Sequence, residues 1–489
     1  MSFLGIDIGS SQVKAVAFAP DGTRLAAAYR KYTYTTPAPG RMELDGNAVM
    51  KASFEVIAEC AAAVRENSPV RAIACSSQGE AFSPVDAQGN ILMPAMISGD
   101  MRASKIVSEF ANLFGAEKLY RLTGHSASAM FSLGKLLWLR EFEPEIFEKS
   151  ARFLCFEDLL AYRLTGRAVM GWPLAGRTML FNPGTHQWVP ELLEACGIGA
   201  DRLADTLPAG TVAGTLLPEI AEKLGLDAET VWVTGGHDQI IGAYGCGARR
   251  SGTAMCAGGS VQCLVPILDR MVLSQELFKS NLCTYDFAAD HAYASVAYSL
   301  TGSNLTEYFI REIARDENGD YAHLIASMPD MPTGLLVLPY FTPSGTPYFD
   351  ERTPACVYGW RFETDRGTLF KGLTEGVAME MKLNCQILKD SGFQLDQLIA
   401  TGGGFRNRKM VQLFADVFGL PISVCDENEA GCRGAATLAA MAADGIEIPQ
   451  PKILDVVEPG SETVCLYDQK FEKWKTFSKN IRSLSECLS

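Results

Sequence analysis

At 489 residues the chain exceeds what one ordinary core holds, so two or more domains are expected. Apolar residues make up 47% and charged residues 20%, a soluble globular composition. Lys plus Arg number 43 and Asp plus Glu 57, a net charge of −14 that argues against a nucleic acid or other polyanionic polymer but not against a small anion held by backbone N–H groups.

No apolar run is long enough to span a bilayer and no basic-then-apolar leader is visible, so neither a membrane span nor a signal peptide is expected. The 14 cysteines are scattered without a C-x-x-C pair and the 5 histidines are dispersed. Reduced thiols, a cytoplasmic location and no dedicated zinc site follow as expectations.

In chain order, Phe3 to Ile8 is a short apolar strand interrupted by Asp7, then Gly9-Ser10-Ser11-Gln12 turns into a second strand, Val13 to Phe18. Asp21-Gly22 signals a hairpin. A Gly/Ser turn aims successive N–H groups at one point, a nest suited to phosphate, and Asp7 beside it suits a hydrated Mg²⁺; an ordinary hairpin turn is the alternative. No Walker A pattern is present. Lys31 to Thr36 reads as strand and Ala48 to Glu66 as helix. Val70 to Cys75 is a strand running into Ser76-Ser77-Gln78-Gly79-Glu80, and Ile97-Ser98-Gly99-Asp100-Met101-Arg102 ends another extended region. Polar groups at such ends suit a polyhydroxylated ligand, against plain loop surface as the alternative. Ala103 to Leu122 and Ser132 to Phe142 read as helices.

Val231 to Gly247, VWVTGGHDQIIGAYGCG, organises the rest. It is a β-branched strand breaking at Gly235-Gly236, presenting His237, Asp238 and Gln239, then resuming as helix. A carboxylate at a strand end before a helix start is where α/β proteins place catalytic groups; helix capping by Asp238 is the plainer alternative. Gly252 to Ile267 repeats strand, Gly258-Gly259-Ser260 turn, strand, an echo of Gly5 to Phe18 that suggests an internal duplication. Ser299 to Ile310 and Gly367 to Ser391 read as helices. Thr401-Gly402-Gly403-Gly404 precedes a helix at Lys409 to Val417, where glycines let a ring or phosphate approach the backbone. Glu429 to Ala436 opens a small-residue helix. The tail from Pro449 is expected to be peripheral.

These segments, FLGIDIGSSQVKAVAF, SSQGEAFSPVD, ISGDMRAS, GGHDQIIGAYGCG, AGGSVQC, TGGGFRNRKMVQLFADVFGLPISV and EAGCRGAATLAA, resemble in their order the FGGY family of carbohydrate kinases, in particular its xylulose kinase and glycerol kinase branches. The resemblance covers about residues 3–443. It implies an α/β fold of two ribonuclease-H-like (actin/hexokinase-type) domains flanking an ATP cleft. The corresponding division is 1–247 as N-terminal domain, 248–445 as C-terminal domain and 446–489 as tail. Position by position, Asp238 matches the family's catalytic aspartate. Gln78, Glu80, Asp100, Arg102 and Gln239 fall on the sugar side. Gly9, Ser10, Ser11, Lys14, Gly258, Gly259, Ser260, Gly302, Gly403 and Asn407 fall on nucleotide and phosphate positions, with Asp7 facing Mg²⁺ through water.

There are departures. The second phosphate motif is Gly258-Gly259-Ser260 where many members have Gly-Thr-Ser, and Gln12 stands where Ser or Thr is frequent. Gly79 replaces the arginine of glycerol kinases, their substrate-contacting tyrosine falls at Met130, and Gly79-Glu80 replaces the Met-His pair of xylulose kinases. The expected reaction is phosphoryl transfer from MgATP to a small sugar or polyol, a ketopentose such as xylulose or ribulose first, a linear polyol or aldonate next. Asp238, taken at an ordinary pKa of about 3.9, would orient the hydroxyl and accept its proton late in a loose transition state. A sugar-binding sensor with weakened catalysis and a protein-directed ATPase are the rival functions. A nucleic-acid-binding regulator is disfavoured by charge. Assembly is left open, a homodimer being one expectation.

Overall fold

The computed structural model describes residues 1–289, 291–315 and 321–488. The first lobe rests on a six-stranded sheet. β1 (Ser2–Ile8), β2 (Gln12–Phe18) and β3 (Arg24–Lys31) form an antiparallel meander. α1 (Gly46–Val64), capped by the Asp45 carboxylate, leads to β4 (Val70–Ser77), parallel to β1. β5 (Val212–Thr215) and β6 (Val231–His237) complete the order β5-β6-β4-β1-β2-β3. α2 (Asp238–Cys246) follows β6 with no intervening loop.

The second lobe repeats the plan. β7 (Gly252–Gly258) and β8 (Gln262–Leu268) form the hairpin, with the short strands β9 (Tyr285–Asp286), β10 (Tyr293–Ala294) and β11 (Ala297–Ser299) beyond β8. After α3 (Arg366–Asp390), β12 (Leu395–Thr401) runs parallel to β7. α4 (Arg408–Phe418), β13 (Ile422–Cys425) and α5 (Ala430–Asp444) follow. Both sheets thus set a hairpin beside parallel strands added to the side of its first strand. The sequence echo between Gly5–Phe18 and Gly252–Ile267 is this repeat.

Side-chain alternation builds three cores from two sheets. Leu4, Ile6, Ile8, Val13, Ala15, Ile73 and Cys75 face the core under α1. Phe3, Val16, Phe18, Ala72 and Ala74 face the other way. There they meet α2, α5 and the inward residues Met255, Val265 and Ile267 of the second sheet, so α2 and α5 lie in a core shared by the lobes. α5 belongs by sequence to the second lobe but packs on β1, β4 and β6 of the first. Small residues allow this. A Cβ on Gly434 would lie 2.0 Å from Ile241 O, one on Gly245 1.9 Å from Ala430 O, and one on Gly5 1.8 Å from Cys432 O.

Four expectations differ from the structure. The tail is not peripheral. β14 (Ile453–Val457) pairs with β13, and α6 (Ser461–Leu488) buries Tyr467, Phe471 and Trp474 in the second core. Its polar pattern conceals this, because Lys470 is buried by pairing with Glu375, which also accepts from Tyr467, and by donating to Thr333 O and Oγ1. Trp474→Ala, which also removes the 2.7 Å indole bond to Val337 O, is expected to cost about 3–5 kcal/mol in a denaturant titration of the full chain. The helix of 103–122 is two, Ser104–Phe114 and Ala116–Thr123, broken where Gly115 takes φ 98°. The strand read at Lys31 to Thr36 ends at Lys31, after which Tyr32 donates to Gly9 O at 2.6 Å. The helix read over 299–310 starts at Ser303 and widens into a π-helical turn, Phe309–Ala314.

Candidate active site

β6 delivers Asp238. Its last residue, His237, holds extended backbone as the N-cap, and Asp238 is the first residue of α2, not its cap. The carboxylate therefore sits in the positive end of the helix, where negative charge is favoured. The strand end is held from behind by Glu157, whose Oε1 accepts from Gly235 N at 2.7 Å and Gly171 N at 3.3 Å. Burial pushes the Glu157 carboxyl up to about 8, so it stays neutral beside the site at pH 7.

Asp238 does not have the ordinary carboxylate pKa expected from its type. Its side chain keeps 29% of its surface exposed, yet desolvation, and then the charges of Asp7 and Glu80, raise it to about 7. Two carboxylates within electrostatic reach disfavour a third ionising. Asp7 stands at the mouth of the first glycine hairpin, its Oδ1 accepting from Ser76 Oγ at 2.8 Å, and is itself raised, chiefly by burial and also by Glu429. Cys263, in the second hairpin, has its thiol pushed up to about 12 by burial and by Asp238. Asp238 is thus within electrostatic reach of both hairpins.

The first hairpin turns through Gly9, whose N–H donates to Gln12 O at 3.0 Å. Ser10 and Ser11 are exposed at its tip. Gln78 braces it, Nε2 donating to Gly9 O at 3.0 Å. Lys14 is tied at 2.8 Å to Glu429, the residue that precedes α5. In the second lobe three glycine segments converge. A Cβ on Gly302 would lie 2.5 Å from Gly259 O and one on Gly402 2.6 Å from Gly258 O. Ser303 N donates to Gly259 O at 2.8 Å. Gly259 and Ser260 are exposed, and a Cβ on Gly403 would meet nothing within 4 Å, so this backbone faces open space. Asn407 caps α4 through Lys409 N at 2.9 Å.

On the sugar side, Glu80 is 1% exposed and takes φ 63°, a conformation that side-chain-bearing residues avoid unless their surroundings hold it. Ser132 Oγ at 2.9 Å and Lys135 Nζ at 3.2 Å donate to its carbonyl. Ser98 Oγ donates to Glu80 Oε2 at 2.7 Å, and Arg177 forms a buried ion pair with Oε1. Arg177 lies over the rings of Phe131 and Tyr285 and touches Met130 Sδ at 3.2 Å. Two buried polar atoms here have no partner among the described residues, Gln239 Oε1 and Arg177 Nε. One is an acceptor and one a donor, and a ligand hydroxyl satisfies both kinds.

Asp100 and Arg102 are placed differently from a direct sugar-reading pair. Asp100 accepts from Arg102 N, Nε and Nη2 and from Met42 N at 2.8 Å. Arg102 also reaches Glu43 at 2.6 Å and lies over Trp138. The Asp100 carboxylate and Arg102 Nε and Nη2 are engaged within the protein, which makes them a brace for the wall at 42–43. Arg177 is the residue that the sequence reading missed; nothing in GRTML announces that a loop arginine turns inward onto Glu80.

A model of the FGGY family of carbohydrate kinases, N-terminal domain, matches residues 2–245, and that of the C-terminal domain matches residues 254–443. The chain is similar to a xylulose kinase from Bacillus subtilis, 24% identical over 99% of this chain and 98% of that one. It is also similar to an autoinducer-2 kinase from Klebsiella pneumoniae, 27% identical over 97% and 93%. Its fold is similar to the crystal structure of a xyloylose kinase from Brucella ovis, with a TM-score of 0.91 and 25% identity over 99% and 100% of the two chains. Two actin/hexokinase-like domains, the expected fold class, describe the architecture. Among the described residues no helix is long and apolar enough to cross a membrane.

Proposed function

The chain belongs to the FGGY family of carbohydrate kinases and is a phosphotransferase acting on a sugar hydroxyl, and from that premise we propose that Asp238 is its base and a ketopentose such as xylulose or ribulose its acceptor. What supports this reading is Asp238 at the start of α2, within electrostatic reach of Asp7, Glu80, Arg177 and Cys263, with the unpaired Gln239 Oε1 on the next residue and an unpaired Nε on Arg177. A polyhydroxylated ligand lying against these atoms would have one hydroxyl facing the carboxylate. Glu80, held by Arg177 and Ser98, accepts from a second hydroxyl. Gln78, Asp100 and Arg102 hold the walls. The relatives named xylulose kinase support the ketopentose; a linear polyol or aldonate stays the second reading, since the relatives also include an autoinducer-2 kinase.

ATP is the donor expected of the family. The exposed tips Ser10–Ser11 and Gly259–Ser260 turn backbone toward its phosphates, Gly302 packs closely on the second hairpin and Gly403 leaves room for the nucleotide, and Lys14 adds positive charge. The residues present fit Mg²⁺: Asp7 is a hard oxygen donor in a site where Asp238 and Glu429 add negative charge, and Mg²⁺ is ordinarily held by one or two carboxylates together with phosphates. When bound, it would offset the charge of the phosphates. Phosphoryl transfer is loose, so positioning does most of the work, and Asp238 orients the hydroxyl and receives its proton.

The raised pKa gives this reading a pH signature. Asp238 must be ionised to accept a proton, and its free-enzyme pKa is about 7. kcat/KM for the acceptor is therefore expected to fall about tenfold per pH unit below that value; a flat profile down to pH 5 would remove Asp238 as base. The function itself is tested with a panel of ketopentoses, aldopentoses, linear polyols and aldonates in a coupled ADP-release assay, with Asp238→Asn as blank. No acceptor-dependent ADP release from any member would overturn the assignment.

A further inference from the structure

Tyr285 comes from the second lobe and is buried in the core that the two lobes share. It is 0% exposed, and a Cβ on Gly176 would meet its Cβ at 3.2 Å. The segment around it is seated by Tyr120 OH donating to Leu282 O at 3.1 Å, Thr284 N donating to Gly124 O at 3.0 Å, and the 2.9 Å contact of His186 Nε2 with Asp286 Oδ1. Its hydroxyl lies 2.7 Å from His237 Nδ1, and His237 Nε2 lies 3.2 Å from Asp238 Oδ1. Gly79 leaves room for this imidazole, since a Cβ there would lie 2.9 Å from His237 Cδ2.

His237 is neutral, its pKa driven well below the ordinary value by burial and then by Arg177 and His125. A neutral imidazole carries one N–H. With the Tyr285 phenol, kept protonated by burial, as donor to Nδ1, the N–H is left on Nε2, 3.2 Å from the carboxylate. We propose that Tyr285 is a positioning residue, which through His237 fixes the orientation of Asp238 and so ties the base to the seating of the second lobe on the first. This rests on the reading of Asp238 as base. The titratable and charged groups facing the trio are Asp7, Glu80, Arg177, His125, Cys263 and Cys283. Tyr285→Phe changes none of them.

Without the phenol the imidazole is free to take its other tautomer, which aims a lone pair at the carboxylate and favours protonated Asp238. Tyr285→Phe keeps the ring in place. It is expected to lower kcat about tenfold, the scale of one hydrogen bond, to leave KM for MgATP unchanged, and to move the acidic limb of kcat to higher pH. His237→Gln carries an N–H that no phenol need direct, so adding Tyr285→Phe to it should have no further effect. A folded Tyr285→Phe with native kcat and an unmoved acidic limb would overturn the proposal. Should that variant not fold, His237→Gln against His237→Phe carries the test: Gln must retain at least about fivefold more kcat, and equality overturns it. The two readings fail separately. A native enzyme inactive on every acceptor defeats the assignment of function, whereas an active native enzyme, a dead Asp238→Asn and an unaffected Tyr285→Phe defeat only this coupling.

Discussion

Asp238→Asn is expected to lower kcat by about 10²–10⁴-fold while leaving the affinity for MgATP near its native value. The amide is isosteric and still suits the positive end of α2 as a dipole, but it cannot accept the proton. The nucleotide contacts proposed for Gly259–Ser260 and Gly403 belong to other elements and are untouched. The substitution also removes a group whose folded-state pKa, about 7, lies above the ordinary 3.8. A raised carboxyl binds protons more tightly in the folded state, so its stabilising contribution is present below about 3.8 and is lost as pH rises through about 7. At pH 8 the native protein carries the full penalty of an ionised, partly desolvated Asp238, and Asp238→Asn does not. Its melting temperature at pH 8 should be equal to or above that of the native chain. Lost turnover with unchanged ATP binding and undiminished stability isolates a chemical role. Turnover within tenfold of native would instead assign the proton to another acceptor.

The parts of this site that were legible in the sequence are those whose chemistry is written into the backbone. A β-branched run ending in Gly235-Gly236 and followed by small apolar residues has few structures open to it; the pattern puts the break at Gly235-Gly236 and the helix from Ile240, whereas β6 runs on through His237 and α2 starts at Asp238. The two glycine turns were legible for the same reason, and their repeat in the two sheets gave the duplication. What escaped depends on neighbours distant in sequence. The raised pKa of Asp238 comes from its burial and then from Asp7 and Glu80, 231 and 158 positions away. Asp100 and Arg102 were read as pocket residues from their strand-end positions, but their partners, Met42 and Glu43, precede them by nearly 60 residues. The tail was read as peripheral, whereas Tyr467, Phe471 and Trp474 of α6 and the pairing of Lys470 with Glu375 turn one face inward.

Arg177 offers the second large effect and separates two things that one substitution would confuse. It is the buried cation opposite Glu80. Removing it alone, as in Arg177→Met, leaves a carboxylate that is 1% exposed without its counter-charge, which is expected to cost about 3–5 kcal/mol. The Glu80 backbone makes this harder to relieve, because Ser132 and Lys135 hold its carbonyl and the residue cannot swing out to water without losing φ 63°. Glu80→Gln combined with Arg177→Met removes both charges, so most of the lost stability should return in a denaturant titration. Binding should not return with it. If Arg177 Nε and Glu80 contact the acceptor, the double variant keeps a raised KM for the sugar even at native stability, while KM for MgATP stays unchanged. A double variant with native stability and native sugar KM would show that the pair only holds the pocket's shape. A double variant as unstable as Arg177→Met would show that the guanidinium's packing on Phe131 and Tyr285, and not its charge, is what the fold requires.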